Sequence, residues 1–435
     1  MRLILPAVVL ALGASQWSYA AAVPDAHALG ENVNAHVIAW RRQIHANPEL
    51  SNREFKTSTL VAEHLRSLGL DVRTGIAHTG VVAIIKGGKP GPRIALRADM
   101  DALPVTEKVA VPFASKVTTT YNGDRVGVMH ACGHDAHTSI LMGVAEALVS
   151  VQKQLPGEVM LIFQPAEEGA PEGETGGARQ MLAEGLFADF KPEAVFGLHV
   201  HSTLPVGQIG YRSGPFMAAA DSFRIVVKGK QTHGARPWLG IDPIVTAADI
   251  VTAAQSIVSR RMNISLQPVV LSFGIIKGGV RTNIIPDQVE LAGTIRTFDP
   301  AMREQVFTEL RRVAEHTAAA HGATVEMKIP DGDPYPLTYN NPALLTRILP
   351  SLQKAIGADN VREIGVSTGS EDFSMYGQQA PAVFLYVGAT ATGIDPASAP
   401  ANHSPLFAVD EGALLVGTRA LLQVSLDYLN AGTPH

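Results

Sequence analysis

The chain has 435 residues, 46% of them hydrophobic and 17% charged, with a formal charge of -5 and one cysteine. That length exceeds what one core comfortably organises, so two domains are expected, and a lone cysteine excludes a disulfide scaffold. The charges are spread without basic or acidic runs, which argues against nucleic acid as a partner.

The opening MRLILPAVVLALGASQWSYAAA carries Arg2, an apolar run from Leu3 to Leu12, and small residues at Ser18, Ala20, Ala21 and Ala22. This is the pattern of a secretory signal peptide over residues 1–22, cut near Ala20 to Ala22. Its apolar run is shorter than the roughly 20 residues of a spanning helix. The mature protein is expected to be exported, periplasmic or secreted, without a membrane contact. Cysteines in such compartments normally pair, yet Cys132 stands alone. It is a buried inert thiol, half of an intermolecular disulfide, or a thiolate held by a metal.

Next, NVNAHVIAWRRQIHANPEL and REFKTSTLVAEHLRSLGL carry apolar residues at helical spacing, the second closed by Gly69. The runs VVAIIKG, PRIALRADMDALP, VMLIFQPAEEG and AVFGLHVH read as buried strands that stop abruptly at acidic or histidine residues. With the helix SILMGVAEALVSVQ between them, they predict an α/β domain whose helices surround a mostly parallel sheet. Ligands in such sheets bind beyond the carboxyl ends of the strands. Asp99, Asp101, Glu167, Glu168, His199 and His201 all fall there.

From about Met217 to Pro330 the order becomes β-α-β-β-α-β, a ferredoxin-like unit complete in one segment. The helix and strand alternation then resumes in PALLTRILPSLQKAIG, PAVFLYVG and EGALLVGTRALLQVSLDYLNAG. The expected organisation is a discontinuous catalytic domain, 23–216 and 331–435, with residues 217–330 inserted as a lid.

The densest chemistry is GVMHACGHDAHTSI, with His130, His134 and His137 around Cys132. In an extended loop Cys132 and His134 point the same way, and thiolate plus imidazole is half of a zinc-type site. Glu168, His199 and His403 come from separate segments, which suits a site assembled where strands end. Neighbouring Glu167 and Glu168 face opposite ways on an extended chain, leaving one free for proton transfer beside a metal. Each of these residues also has a bland reading, as a surface acid or a packed histidine.

Together, RRQIHANPELSNREF (41–55), LRADMDALPV (96–105), MHACGHDAH (129–137), FQPAEEG (163–169), GLHV (197–200), THGARP (232–237), RTNIIPD (281–287), GSEDF (369–373) and NHSP (402–405) resemble the M20 metallopeptidase clan. Within it they resemble the amidohydrolase branch of hippurate, N-acyl-amino-acid and auxin-conjugate hydrolases. The resemblance implies a dinuclear centre held by Cys132, His134, Glu168, His199 and His403, with Glu167 as general acid/base. Peptidase members have a histidine where this chain has Asp99, and Cys132 joins the site instead. Asp101 resembles a carboxylate that orients a ligand histidine, while His137 is a ligand neighbour or a packed structural residue. His233 and Asn283 are the implied substrate contacts, with Arg236 and Arg281 as further carboxylate binders. Gly369 and Ser370 are expected to line the pocket, and Glu371 and Asp372 to line it or cap a helix.

The expected activity is hydrolysis of N-acetyl, benzoyl or similar N-acyl amino acids by two divalent ions, drawn from zinc, manganese, cobalt or nickel. The resemblance also implies a homodimer through the inserted domain. Rival readings are a dipeptidase or carboxypeptidase of the same clan, a periplasmic binding protein without catalysis, and a hydrolase using Cys132 as nucleophile.

Overall fold

The computed structural model describes residues 25–431; the expected leader lies outside them. The main sheet has eight strands: β1 (Val72–Ile76), β2 (Gly80–Lys86), β3 (Lys89–Asp99), β4 (Pro156–Gln164), β5 (Ala194–Pro205), β6 (Ile209–Tyr211), β7 (Val361–Glu363) and β8 (Ala382–Thr390). Their spatial order is β1-β2-β4-β3-β5-β8-β6-β7. The central run β4-β3-β5-β8 is parallel, with antiparallel pairings toward both edges.

Helices cover both faces, which explains the unbroken apolar runs of the central strands. Ile94, Leu96 and Ala98 of β3 join the core beneath α1 (Ala26–Ala46), α2 (Phe55–Ser67), α3 (His134–Ser150) and the last helix, Gly412–Ala431. Ala95 faces the other way, into a core with Met181 and Phe384. This two-residue alternation puts consecutive strand residues into different cores.

Four further strands, Ala219–Lys228, Val269–Gly278, Gln288–Thr297 and Thr324–Lys328, make a separate antiparallel sheet. Helices Pro243–Ser256 and Pro300–Ala320 pack on it around Ile225, Leu291, Ile250 and Leu310. The β-α-β-β-α-β order expected for this segment is therefore present with its own core. Asp242 and Asp299 accept backbone N–H bonds at the two helix starts, each followed by a proline, so both helices begin on local signals. Where the chain enters and leaves this unit, strand Gly214–Met217 pairs with Thr338–Asn340, holding the crossings side by side. Among the described residues, no helix is long and apolar enough to cross a membrane.

Candidate metal centre

Strand ends and two loops supply the donors. Glu167 and Glu168 follow β4, His199 lies in β5, Cys132 precedes α3, His134 opens that helix, and His403 comes from the loop after β8. Gly133 makes the approach possible: its φ is +94°, and a Cβ there would lie 2.3 Å from Val200 Cγ2. Ala166 and His403 also hold positive φ, 51° and 72°, without being glycine. Such backbone is retained where surrounding contacts over-determine it. His403 N–H donates to Ala131 O at 2.7 Å, and Ala166 N–H donates to the buried Glu54 carboxylate at 2.9 Å.

Cys132 Sγ lies 3.2 Å from His199 Nε2 and 3.2 Å from His403 Nε2. His403 Nε2 is 3.1 Å from Glu168 Oε1, and His134 Nε2 is 3.9 Å from both Glu168 Oε1 and Glu167 Oε2. Cys132 is thus common to two donor groups, one with His134 and His199, the other with Glu168 and His403. Tetrahedral bonds of about 2.0–2.3 Å set their donors about 3.3–3.8 Å apart, close to the spacings here.

Buried His134 Nε2 has no hydrogen-bond partner, while its Nδ1 faces Asp101 Oδ1 at 3.2 Å. His199 Nδ1 faces Val200 O at 2.7 Å, which fixes the proton there and leaves Nε2 bare toward the sulfur. A His134 nitrogen without a hydrogen-bond partner, a His199 nitrogen facing the sulfur and a sulfur within reach of two rings form a donor set that fits divalent cations. Burial, then the charges of Glu168 and Glu167, push the Cys132 thiol well up. A thiolate there needs a cation beside it.

Asp101 holds this frame. Its two oxygens accept His134 Nδ1–H, Glu167 N–H at 3.1 Å, Glu168 N–H at 3.0 Å and Ser51 Oγ–H at 2.7 Å. His137 is a packed structural residue: Nδ1 faces Asp99 Oδ1 at 2.6 Å, and Nε2 accepts Val200 N–H at 2.8 Å, so neither nitrogen is open. Burial tends to lower the His134 pKa, but Asp99 and Asp101 raise it to about 10. Burial, then Glu371 and Glu168, raise Glu167 well above the usual carboxylate range.

Fully buried Arg97 was a strand residue without a role in the sequence reading. It contacts Asp99 at 2.7 Å and both Glu371 and Asp372 at 2.9 Å. The helix-capping role weighed for Glu371 and Asp372 stands beside this one: Asp372 Oδ2 accepts Ala178 N–H at 2.7 Å, in the first turn of helix Gly177–Ala183. Glu371 accepts Phe373 N–H at the start of the short helix Ser374–Gly377, and both carboxylates also pair with Arg97 beneath the site. Gly369, Ser370 and Glu371 line the cavity, as expected for this segment.

That cavity, about 740 Å³, lies between the donors and the inserted unit, which contributes Asp221, Ser222, Thr294 and Arg296. Asp221 is held by Arg303 through two bonds of 2.8 and 2.6 Å. Arg296 is half-buried and hydrogen-bonded to no described residue, so its guanidinium is available to a guest. The sequence reading missed it; the available signal was one arginine among the apolar alternation of ELAGTIRTF.

His233, Arg236, Arg281 and Asn283 stand elsewhere. His233 pairs with Ile284 in a two-stranded ribbon, Gly234 N–H donates to Asn283 O at 2.8 Å, and all four residues are exposed. They meet one another but do not line the cavity of their own chain.

A parallel sheet whose carboxyl ends carry cation donors and a buried glutamate, faced by an inserted unit, defines a metal-dependent hydrolase. The profile of peptidase family M20/M25/M40 matches residues 95–427, and the chain belongs to that family. It is 42% identical over 398 residues to thermostable carboxypeptidase 2 of Saccharolobus solfataricus, covering 91% of this chain and 95% of that one. It is 39% identical over 397 residues to N-acetylcysteine deacetylase of Bacillus subtilis, covering 91% and 97%. The crystal structure of the Bacillus subtilis YXEP protein, described as a dinuclear metal binding peptidase of family M20, superposes with a TM-score of 0.75. That match has 35% identity and covers 92% of this chain and 99% of that one. The protein is accordingly an amidohydrolase of this family.

Proposed function

We propose that this amidohydrolase cleaves N-acyl amino acids into a carboxylate and a free amino acid. The observation that carries the reading is the pairing of the donor cluster and Glu167 with an unpartnered Arg296 across one cavity. Two divalent cations held by Cys132, His134, Glu168, His199 and His403 would polarise the scissile carbonyl and make water a nucleophile near neutral pH. Glu167 takes the proton of the attacking water and passes it to the leaving amine nitrogen. Its buried position, which favours the protonated form, suits the second of these transfers. Arg296 binds the amino acid carboxylate as a charge-assisted pair.

In this reading residues 217–330 are a lid that closes on the substrate, and the chain is exported after cleavage near Ala20 to Ala22. The exposed group of His233, Arg236, Arg281 and Asn283 acts in a homodimer, each lid serving the other copy's cavity. Exposed Ile275, Ile276 and Val280 on and beside the edge strand Val269–Gly278 supply apolar surface for that contact. The identity with a carboxypeptidase favours peptides as a second substrate class, since Arg296 suits a peptide carboxyl terminus equally well. Assaying metal-loaded protein on N-acyl amino acids and on free dipeptides tests the reading. Turnover of the acyl compounds is expected, and turnover of dipeptides alone overturns it.

A further inference from the structure

Glu168 lines a second cavity, about 480 Å³, that continues along Gly169 and Pro171 away from the polar one. Its walls are the loop Pro48–Ser51, the Leu103–Pro104 turn that follows Asp101, and a hairpin of strands Thr118–Tyr121 and Asp124–Gly127. The hairpin turns on Asn122 and Gly123, with φ of 50° and 89°, the conformation that an Asn-Gly pair favours. These walls are tied to one another. Ala102 N–H donates to Glu49 O at 2.8 Å, Leu103 and Met129 exchange two bonds of 3.0 Å, and Val128 N–H donates to Val117 O at 3.0 Å.

Apart from Glu168, the charged groups in this cavity are already engaged. Glu49 accepts Lys56 N–H and Thr57 N–H, at 2.9 and 3.0 Å, at the start of helix Phe55–Ser67. Arg53 binds Glu174 at 3.0 Å, and Ser51 donates to Asp101. The surface left for a guest is Pro48, Leu50, Leu103, Pro104, Val117 and Tyr121, with threonines between them. It contrasts with the other cavity, where Arg296 waits for an anion.

Resting on the N-acyl amino acid reading, we propose that this second cavity is the acyl subsite and that it selects a bulky apolar acyl group, of aromatic-ring size, over acetyl. The scissile carbonyl sits at the donors beside Glu168, the amino acid carboxylate goes to Arg296, and the acyl chain extends along Gly169 to the hairpin. A volume of 480 Å³ is in the range that small-molecule pockets use, and an acetyl group leaves most of it unfilled. The hairpin's Thr119 and Tyr121 then set the acyl size limit.

The test measures kcat/KM of metal-loaded protein on the N-acetyl and N-benzoyl forms of racemic alanine, leucine and glutamate. Wild type is expected to prefer benzoyl by about tenfold or more, the scale on which apolar pockets discriminate. Thr119→Trp, which fills the cavity from a strand position that accepts aromatics, should cut benzoyl turnover about tenfold while acetyl stays within about threefold. Tyr121→Ala, a truncation of a side chain 40% exposed and compatible with folding, should lower benzoyl alone by severalfold. An acetyl preference in wild type, or equal effects of both variants on both acyl groups, overturns the acyl subsite while leaving the hydrolase reading intact. No turnover of either acyl class by metal-loaded wild type overturns the hydrolase reading and the subsite with it.

Discussion

Replacing Asp101 by Asn tests how the donor set is held. The fully buried carboxylate accepts four hydrogen bonds, two on each oxygen: His134 and the Glu167 amide on Oδ1, the Glu168 amide and Ser51 on Oδ2. An asparagine keeps one acceptor oxygen and turns an amide N–H₂ toward the other pair. In the better orientation that group faces Ser51, which can rotate to accept, and Glu168 N–H, which cannot. One buried backbone N–H is left without a partner, at a cost of about 1–3 kcal/mol. Because that N–H belongs to Glu168, and because His134 loses the full charge opposite its Nδ1–H, the cost falls on cation binding. At about 1.4 kcal/mol per decade this is roughly a 10–100-fold loss of affinity, the scale found when partners of metal ligands are removed. Competition against a chromogenic chelator reads the affinity, and denaturant unfolding of metal-free protein reads the stability. Wild-type affinity within about twofold, in a folded D101N protein, refutes the argument.

Glu167→Gln should lower kcat by about 10²–10⁴ with metal content unchanged, as measured by steady-state kinetics beside elemental analysis. Arg296→Ala should raise KM about tenfold or more for substrates with a free carboxylate, with little change for their carboxamides. His45 gives a pH signature away from the donors. Burial tends to lower its pKa, but Asp135, at 2.8 Å, and Glu107 raise it to about 9 from 6.5. A pKa raised on folding stabilises fully below pH 6.5, and the contribution fades as pH climbs through 9. The difference corresponds to about 3 kcal/mol as an upper scale. Unfolding free energies of wild type should therefore fall between pH 6.5 and 9, more steeply than those of His45→Gln. Equal slopes would show that the pair contributes nothing.

Much of the site was legible because strands buried on both faces read as apolar runs, and their abrupt polar ends are where an α/β sheet places ligands. Cys132, His134, Glu167, Glu168 and His199 were all visible as such endings or in the loop beside them. The start of α3 was not, since a left-handed Gly133 followed by His134 carries no ordinary capping signal. Arg97 escaped because its meaning lies in Glu371 and Asp372, far along the chain, and sequence spacing holds no trace of that contact. The hairpin at 118–127 is short, polar and mostly exposed, so periodicity did not mark it as the wall of a cavity. His233 and Asn283 were found by resemblance, yet their own chain keeps them out of the cavity, a relation that only coordinates could show.

The central claim is that these donors hold two cations on which activity depends. Elemental analysis of the purified, active protein, repeated after chelation and after adding back single metals, tests it most directly. The account predicts about two transition-metal ions per chain, loss of N-acyl amino acid hydrolysis as they leave, and recovery on their return. Full activity in protein stripped of such ions would contradict it.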